Sequence, residues 1–279
     1  MSALTVRNPL IKVLLWAAMI LMVLVYAFPF IYLFLTSFKT PFETLAIPPR
    51  VVPSTWTLEN YVTALQRPGA GKSFLNSTVT SLISTAVSVA LAVPAAYGIT
   101  RFQTRAGQAL SGLALISRMI PPVAIGVPML SMLASVNLVD TSFGLAIAQT
   151  TISLPLSILL MASFFEGVPV ELEEAAKVDG CSSTRALWSV VLPIVKGGMA
   201  VTAIFAFLAS WNEFLFALIL TSQNAQTTPI AIANFQTQFG LDWGPMTAMA
   251  VLYSLPVIVL TILLQRHIVA GMTMGAVKG

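Results

Sequence analysis

One cysteine, one histidine and ten carboxylates are all that a chain of 279 residues offers here to redox, metal or acid–base chemistry. Cys181 has no partner for an internal disulfide, and a thiolate zinc site needs more than one such residue. No set of side chains has the spacing of a catalytic triad, a metal cluster or a hydrolytic pair of carboxylates, so no enzyme is expected. Charge is scarce as well. Asp, Glu, Lys and Arg make up 9% of the residues against 57% hydrophobic, too little polar surface to coat a soluble globule. The net charge of +4 is scattered between apolar runs, which excludes a nucleic-acid-binding face.

Long apolar runs are what the chain does have. Six segments are apolar enough and long enough for bilayer helices, which need about 20 residues each. They run over Val13–Thr36, Phe74–Thr100, Ala109–Ser135, Phe143–Phe165, Gly197–Thr221 and Met246–Gln265. The first is longer than the core of a signal peptide and lacks a small-residue cleavage site behind it, so no cleaved leader is expected. Pro29, Pro94, Pro121, Pro122, Pro128, Pro155 and Pro256 fall inside these runs. Membrane bundles tolerate prolines where neighbouring helices satisfy the freed carbonyls.

Basic residues orient the spans. The side shared by both termini holds Arg7, Lys12, Arg101, Arg105, Lys177, Arg185, Lys196, Arg266 and Lys278; the other holds Lys39, Arg50, Arg67 and Lys72. Nine against four puts both termini in the cytoplasm. The expected class is therefore an all-α, polytopic membrane protein with six transmembrane helices.

Gly69–Ser73 reads GAGKS and resembles the end of a phosphate-binding loop. The full motif needs a further glycine at position 66, after a strand and opening a helix. Gln66 stands there, behind ENYVTAL, and the topology places the segment outside the cytoplasm. An interfacial turn with Lys72 anchoring the second helix is the reading that remains.

Five of the ten acidic residues, Glu166, Glu171, Glu173, Glu174 and Asp179, fall in the cytoplasmic segment between the fourth and fifth spans. Pro169 precedes good helix formers and Asp179-Gly180 ends them. Ser182 or Ser183 can cap a second helix, whose Ala186, Leu187, Val190 and Val191 share a face until Pro193. An amphipathic pair lying on the membrane would explain that apolar face. It leaves the cluster Glu171, Glu173 and Glu174 facing anionic lipid, whereas a protruding acidic helix suits a basic groove on a soluble partner.

Glu174-Ala175-Ala176, then Gly180 after three residues, then Val190 and Leu192-Pro193, resembles the EAA loop of ABC-importer permeases, spacing included, with Val190 where isoleucine is usual. VPSTWTLENY before the second span, SWNEFLFALIL in the fifth, TTPIAIANF after it and the tail QRHIVAGMTMGAVKG resemble the shorter permease of carbohydrate importers of the maltose-transporter type. The resemblance implies a subunit of the bacterial plasma membrane that pairs with a second, different permease, sits on two copies of a cytoplasmic ATPase and receives sugar from an extracytoplasmic binding protein. ATP and Mg would be bound by the ATPase, with no cofactor in this chain. The ATPase-coupling residues so implied are Glu171, Glu173, Glu174, Ala175, Ala176, Asp179, Gly180, Leu192 and Pro193. The tail, with Gly275 and Lys278, would reach towards the ATPase interface. Residues 1–72 then form a tail, first helix and outer loop, 73–270 the permease core with its coupling loop at 166–196, and 271–279 a cytoplasmic tail.

Within the spans, Arg118 and Glu213 are the ionisable residues, and such charges face a bundle interior or water. Each can make a structural or gating contact, or touch the sugar. Trp211 and Asn212 could supply a stacking face and hydrogen bonds to a polyol, or belong to packing. The outer segment 222–245 is long for a passive connection. Asn234, Gln236, Asp242 and Trp243 would dock the binding protein there, unless the loop is a solvated hairpin. The sequon at Asn76, the GxxxG at Gly271–Gly275 and the interfacial His267 carry no assigned role. The competing class is a self-sufficient ion-coupled carrier, which calls for inverted repeats and mid-membrane carboxylates; no repeat is evident.

Overall fold

The computed structural model describes residues 9–102, 104–237 and 240–276. Helix α1 covers Pro9–Thr36, α2 Pro41–Thr44, α3 Glu59–Gln66 and α4 Ala70–Phe102. Then follow α5 (Arg105–Ser117), α6 (Pro122–Ser135) and α7 (Ser142–Glu166). Next come α8 (Glu171–Val178), the short α9 (Ser183–Ala186), a π-helical turn at Leu187–Val191 and α10 (Leu192–Ile194). The C-terminal part holds α11 (Lys196–Trp211), α12 (Leu215–Leu220), α13 (Thr228–Ala233) and α14 (Trp243–Ala276). Strands β1 (Gln236–Thr237) and β2 (Gly240–Leu241) pair antiparallel between α13 and α14, with Gln236 opposite Leu241.

The chain divides into two compact units. One contains residues 1–68 and 232–252. Its α1 is apolar all round, with a mean hydropathy of 2.5, and its side chains are exposed over nearly its whole length. Beyond it, Phe38 sits among the rings of Phe34, Trp56 and Tyr61. Asn60 binds the carbonyls of Ser37 and Lys39 through Nδ2 at 2.9 and 2.7 Å. The VPSTWTLENY segment is thus a clasp that ties α3 to the end of α1.

The other unit contains residues 69–231 and 253–279 and is built on α4, α7 and α11. Small polar side chains line the α4–α7 seam, where Ser88 and Ser84 of α4 lie 2.6 and 3.3 Å from the Ser153 hydroxyl. Such residues let membrane helices approach closely and hydrogen-bond across the contact. Gly198 serves the same end between α7 and α11, since a Cβ there would lie 2.3 Å from the Phe164 ring. Apolar packing takes over towards the C-terminal end of α4, where Ala92, Val93, Ala96 and Tyr97 meet Ile158, Met161 and Phe165 of α7.

Four helices are long and apolar enough to cross a membrane, or up to six when each of two bent pairs counts as one span. The third expected span is one such pair: α5 and α6 meet at 104°. Pro121 and Pro122 cause the break. Neither supplies an N–H to α5, and Pro122 is the first residue of α6. The second bent pair joins Ser183–Ile194 to α11 at 82°. The fifth expected span is also interrupted, with Asn212–Phe214 lying between α11 and α12. Isolated prolines at 29, 94, 128, 155 and 256 stay within continuous helices.

Candidate functional site

Helix α8 opens with Glu171, Glu173 and Glu174 in its first turn, where carboxylates favour the helix dipole, and has Lys177 in its last. It closes in a Schellman motif. Gly180 adopts a left-handed backbone at φ 88°, its N–H donates to the Lys177 carbonyl at 3.0 Å, and the Cys181 N–H reaches the Ala176 carbonyl at 2.9 Å. Ser182 is the cap of α9, accepting the Arg185 N–H at 3.3 Å. Gly180 of the sequence motif and the capping Ser182 thus end α8 and start α9 within four residues.

Residues Leu187, Val191, Leu192 and Val195 then pack with Val168 against the ends of α4 and α7. Glu173 also points inward, which corrects the expectation of an acidic cluster wholly presented to a partner. It is 1% exposed. Its Oε1 lies 2.5 Å from Nε of Arg101 at the end of α4, and its Oε2 accepts the Tyr97 hydroxyl at 2.8 Å. Arg101 also donates through Nη2 to the Val168 carbonyl at 3.0 Å. A buried carboxylate needs such company, and removing one member of a buried pair costs about 3–5 kcal/mol. Neither Arg101 nor Tyr97 was singled out from the sequence, although a basic residue just past an apolar span is where such a partner would come from.

Glu171, Glu174, Ala175, Asp179, Gly180 and Pro193 lie on the exposed side of the loop, while Ala176 and Leu192 are buried with Glu173. Apolar side chains share that exposed surface. Val178 is 88% exposed and Trp188 63%, with Val170 and Leu172 also open. Exposed apolar groups gathered in one loop mark an interaction surface. Of the expected tail residues, Gly275 lies in the last turn of α14, and Lys278 falls outside the described residues.

The interior residues do not come together. Glu213 caps α12, its carboxylate accepting N–H groups from Phe216 and Ala217 at 2.8 and 3.1 Å. Arg118 lies at the α5–α6 bend, beside a cavity of about 160 Å³ lined also by Ser117, Thr151, Pro155 and Ala209. It forms no ion pair among the described residues. Trp211 offers no open ring face for a sugar, contrary to the stacking expectation. It is 2% exposed, stacked on Phe207 at 5.3 Å and on Tyr253 at 4.9 Å, with the Phe74 ring edge-on. The Tyr253 hydroxyl also donates to its carbonyl. Asn212 is exposed, its amide turned back to the Leu208 carbonyl at 2.9 Å.

Asn234, Gln236, Asp242 and Trp243 are all exposed around the β1–β2 hairpin. Arg67 supports this hairpin: its guanidinium lies 4.1 Å above the Phe235 ring and donates to the Asn234 carbonyl. In the other unit, Lys72 of the GAGKS stretch donates to the Asn224 side chain at 3.3 Å. That gives it a structural partner in place of a phosphate.

Residues 88–274 match the family of binding-protein-dependent transport system inner membrane components. The trehalose transport system permease protein SugB of Mycobacterium tuberculosis is 36% identical over 268 residues, 95% of this chain and 97% of that one. The trehalose/maltose transport system permease protein MalG of Thermococcus litoralis is 32% identical over 272 residues, 96% and 97% of the two chains. Among solved structures, a bacterial ABC transporter that imports the acidic polysaccharide alginate shares the fold with a TM-score of 0.78. It is 19% identical, over 94% of this chain and 98% of that one. A family match spanning the Glu166–Lys196 loop and the helices on either side of it, with relatives aligned along almost their full lengths, leads to one conclusion: this chain belongs to the binding-protein-dependent transport system inner membrane components, the permeases of ABC transporters.

Proposed function

We propose that the chain is the shorter permease of an ATP-driven importer for a sugar or sugar derivative in a bacterial plasma membrane, with six spans and both termini in the cytoplasm. It pairs with a different permease, rests on two copies of a partner ATPase that binds ATP and Mg, and takes its sugar from an extracytoplasmic binding protein. The observation that carries this reading is the Glu166–Lys196 loop. One of its faces is locked to α4 through Glu173, Arg101 and Tyr97, and the other presents Glu171, Glu174, Val178 and Trp188 outward. A rigid element open on one side and fixed on the other transmits a push. Closure of the ATPases would move α8, and α4 with the helices packed on it would follow, switching the path from outward to inward access.

The breaks in helix at Arg118–Pro121 and Asn212–Phe214 belong to this reading, because non-helical backbone at membrane depth occurs where it lines a cavity or is buried in protein. This reading assigns Arg118, beside its cavity, the contact to a substrate hydroxyl or acid. The ion-coupled carrier needs a carboxylate free to take up a cation, and both oxygens of Glu213 are already engaged by α12. Uptake by cells carrying the whole operon, with Gly180→Arg against wild type, tests the coupling role. Loss of uptake with ATP hydrolysis retained is expected; unimpaired uptake would contradict it.

A further inference from the structure

Asp140 has no part in the coupling path, yet it is the most heavily hydrogen-bonded carboxylate of the described chain. It ends the turn between α6 and α7 with a left-handed backbone at φ 57°, and its own N–H donates to the Leu220 carbonyl at 2.9 Å. Four consecutive backbone N–H groups at the start of the α12–α13 connection converge on its side chain. Oδ1 accepts those of Ser222, Asn224 and Ala225 at 2.9, 3.0 and 3.1 Å, and Oδ2 accepts that of Gln223 at 3.2 Å. The Ser222 hydroxyl and the Asn224 amide reach Oδ2 at 3.0 and 3.1 Å.

Partial burial alone would raise this carboxyl's pKa. The N–H groups of Ser222, Ala225, Asn224 and Gln223 outweigh it and hold the group well below the usual carboxylate range. The connection is gripped from α4 as well. Asn76 donates through Nδ2 to the carbonyls of Asn224 and Gln226 at 2.9 and 3.0 Å, and the Thr228 N–H donates to the Ser77 hydroxyl at 2.9 Å. A nest of successive N–H groups closed on a fixed anion is a built feature, since charge-assisted bonds are about twice as strong as neutral ones. A merely solvated connection would leave those N–H groups to water.

We propose that Asp140 is a positioning residue for import: it holds Ser222–Ala225 formed, so that the outer loop meets the extracytoplasmic binding protein already ordered. The proposal rests on the importer reading. Ordering an interface segment during association weakens binding, and preordering removes that cost. Releasing the latch therefore raises the binding-protein concentration needed for half-maximal ATPase stimulation, on the order of tenfold. The rate at saturation stays unaltered.

The test uses the complete assembly in nanodiscs, titrated with the binding protein captured alongside the tagged chain. Hydrogen exchange at residues 222–225 is read in parallel. Asp140→Ala should speed exchange there and raise half-saturation with an unchanged maximal rate, and Asp140→Glu should recover part of both. Asn76→Ala frees the same stretch from the α4 side and carries the same expectation should Asp140→Ala fail to assemble. Faster exchange with unaltered half-saturation, unchanged exchange, or a fall in maximal rate alone would each overturn the proposal. A wild-type assembly indifferent to the binding protein would instead overturn the importer reading beneath it.

Discussion

Arg101 and Glu173 stand 72 positions apart and meet at 2.5 Å, joining the end of α4 to the first turn of α8. Both side chains are nearly buried, so the pair is a joint between the Glu166–Lys196 loop and the helix bundle. Arg101→Ala and Glu173→Ala should each lower stability by about 3–5 kcal/mol, because each strands the other charge. The double variant should lose less than the sum. Thermal unfolding of the four proteins in detergent checks this; additive losses would mean that the joint is not a unit.

Gly180 is the second fixed point of the loop. A side chain at φ 88° costs roughly 1–2 kcal/mol through the clash of Cβ with the backbone. A Cβ there has open space around it, so the cost is conformational. Gly180→Asn should therefore keep more function than Gly180→Val, since asparagine tolerates the left-handed region. Uptake rates for the two variants read out the difference.

The exposed apolar residues of the loop are expected to be the anchors of the ATPase contact, with the nearby carboxylates supporting them. Val178→Asp and Trp188→Glu should leave the folded subunit intact, because neither side chain is packed in the interior of the chain. Each should reduce recovery of the ATPase with the tagged permease by tenfold or more, at about 1.4 kcal/mol per factor of ten. Normal recovery from both variants would place the contact elsewhere.

Trp211 separates packing from substrate contact. Stacked on both faces, it should cost about 3–5 kcal/mol when replaced by alanine. Trp211→Phe should be milder and leave the sugar concentration at half-maximal uptake unaltered. A changed half-saturation without loss of stability would restore it as a sugar ligand.

The readable parts of this chain were those set by local chemistry. Apolar length marked the four continuous spans, α1, α4, α7 and α14, and Gly180 with Ser182 or Ser183 marked the turn between α8 and α9 because a left-handed cap and a hydroxyl cap each act within a few residues. Paired proline was misjudged. Pro121 and Pro122 looked like tolerated interruptions, yet two successive residues without N–H groups end a helix, and the span bends by 104°. What the sequence hid was long-range. The inward turn of Glu173 depends on Arg101 and Tyr97, and the closing of Trp211 depends on Tyr253 of α14, which covers the ring alongside Phe207 one turn back on α11. Asp140 gave no local signal, since its partners lie 82 to 85 positions away.

The central claim is that this permease moves sugar only when partner ATPases drive it through the coupling loop. Its most direct test is uptake into proteoliposomes of the sugar found on the co-purifying binding protein, with ATP supplied or withheld and no ion gradient imposed. The account predicts accumulation by the full assembly that requires ATP and vanishes with Gly180→Arg while hydrolysis continues. Accumulation by this chain alone, on a proton or sodium gradient without ATP, would contradict it.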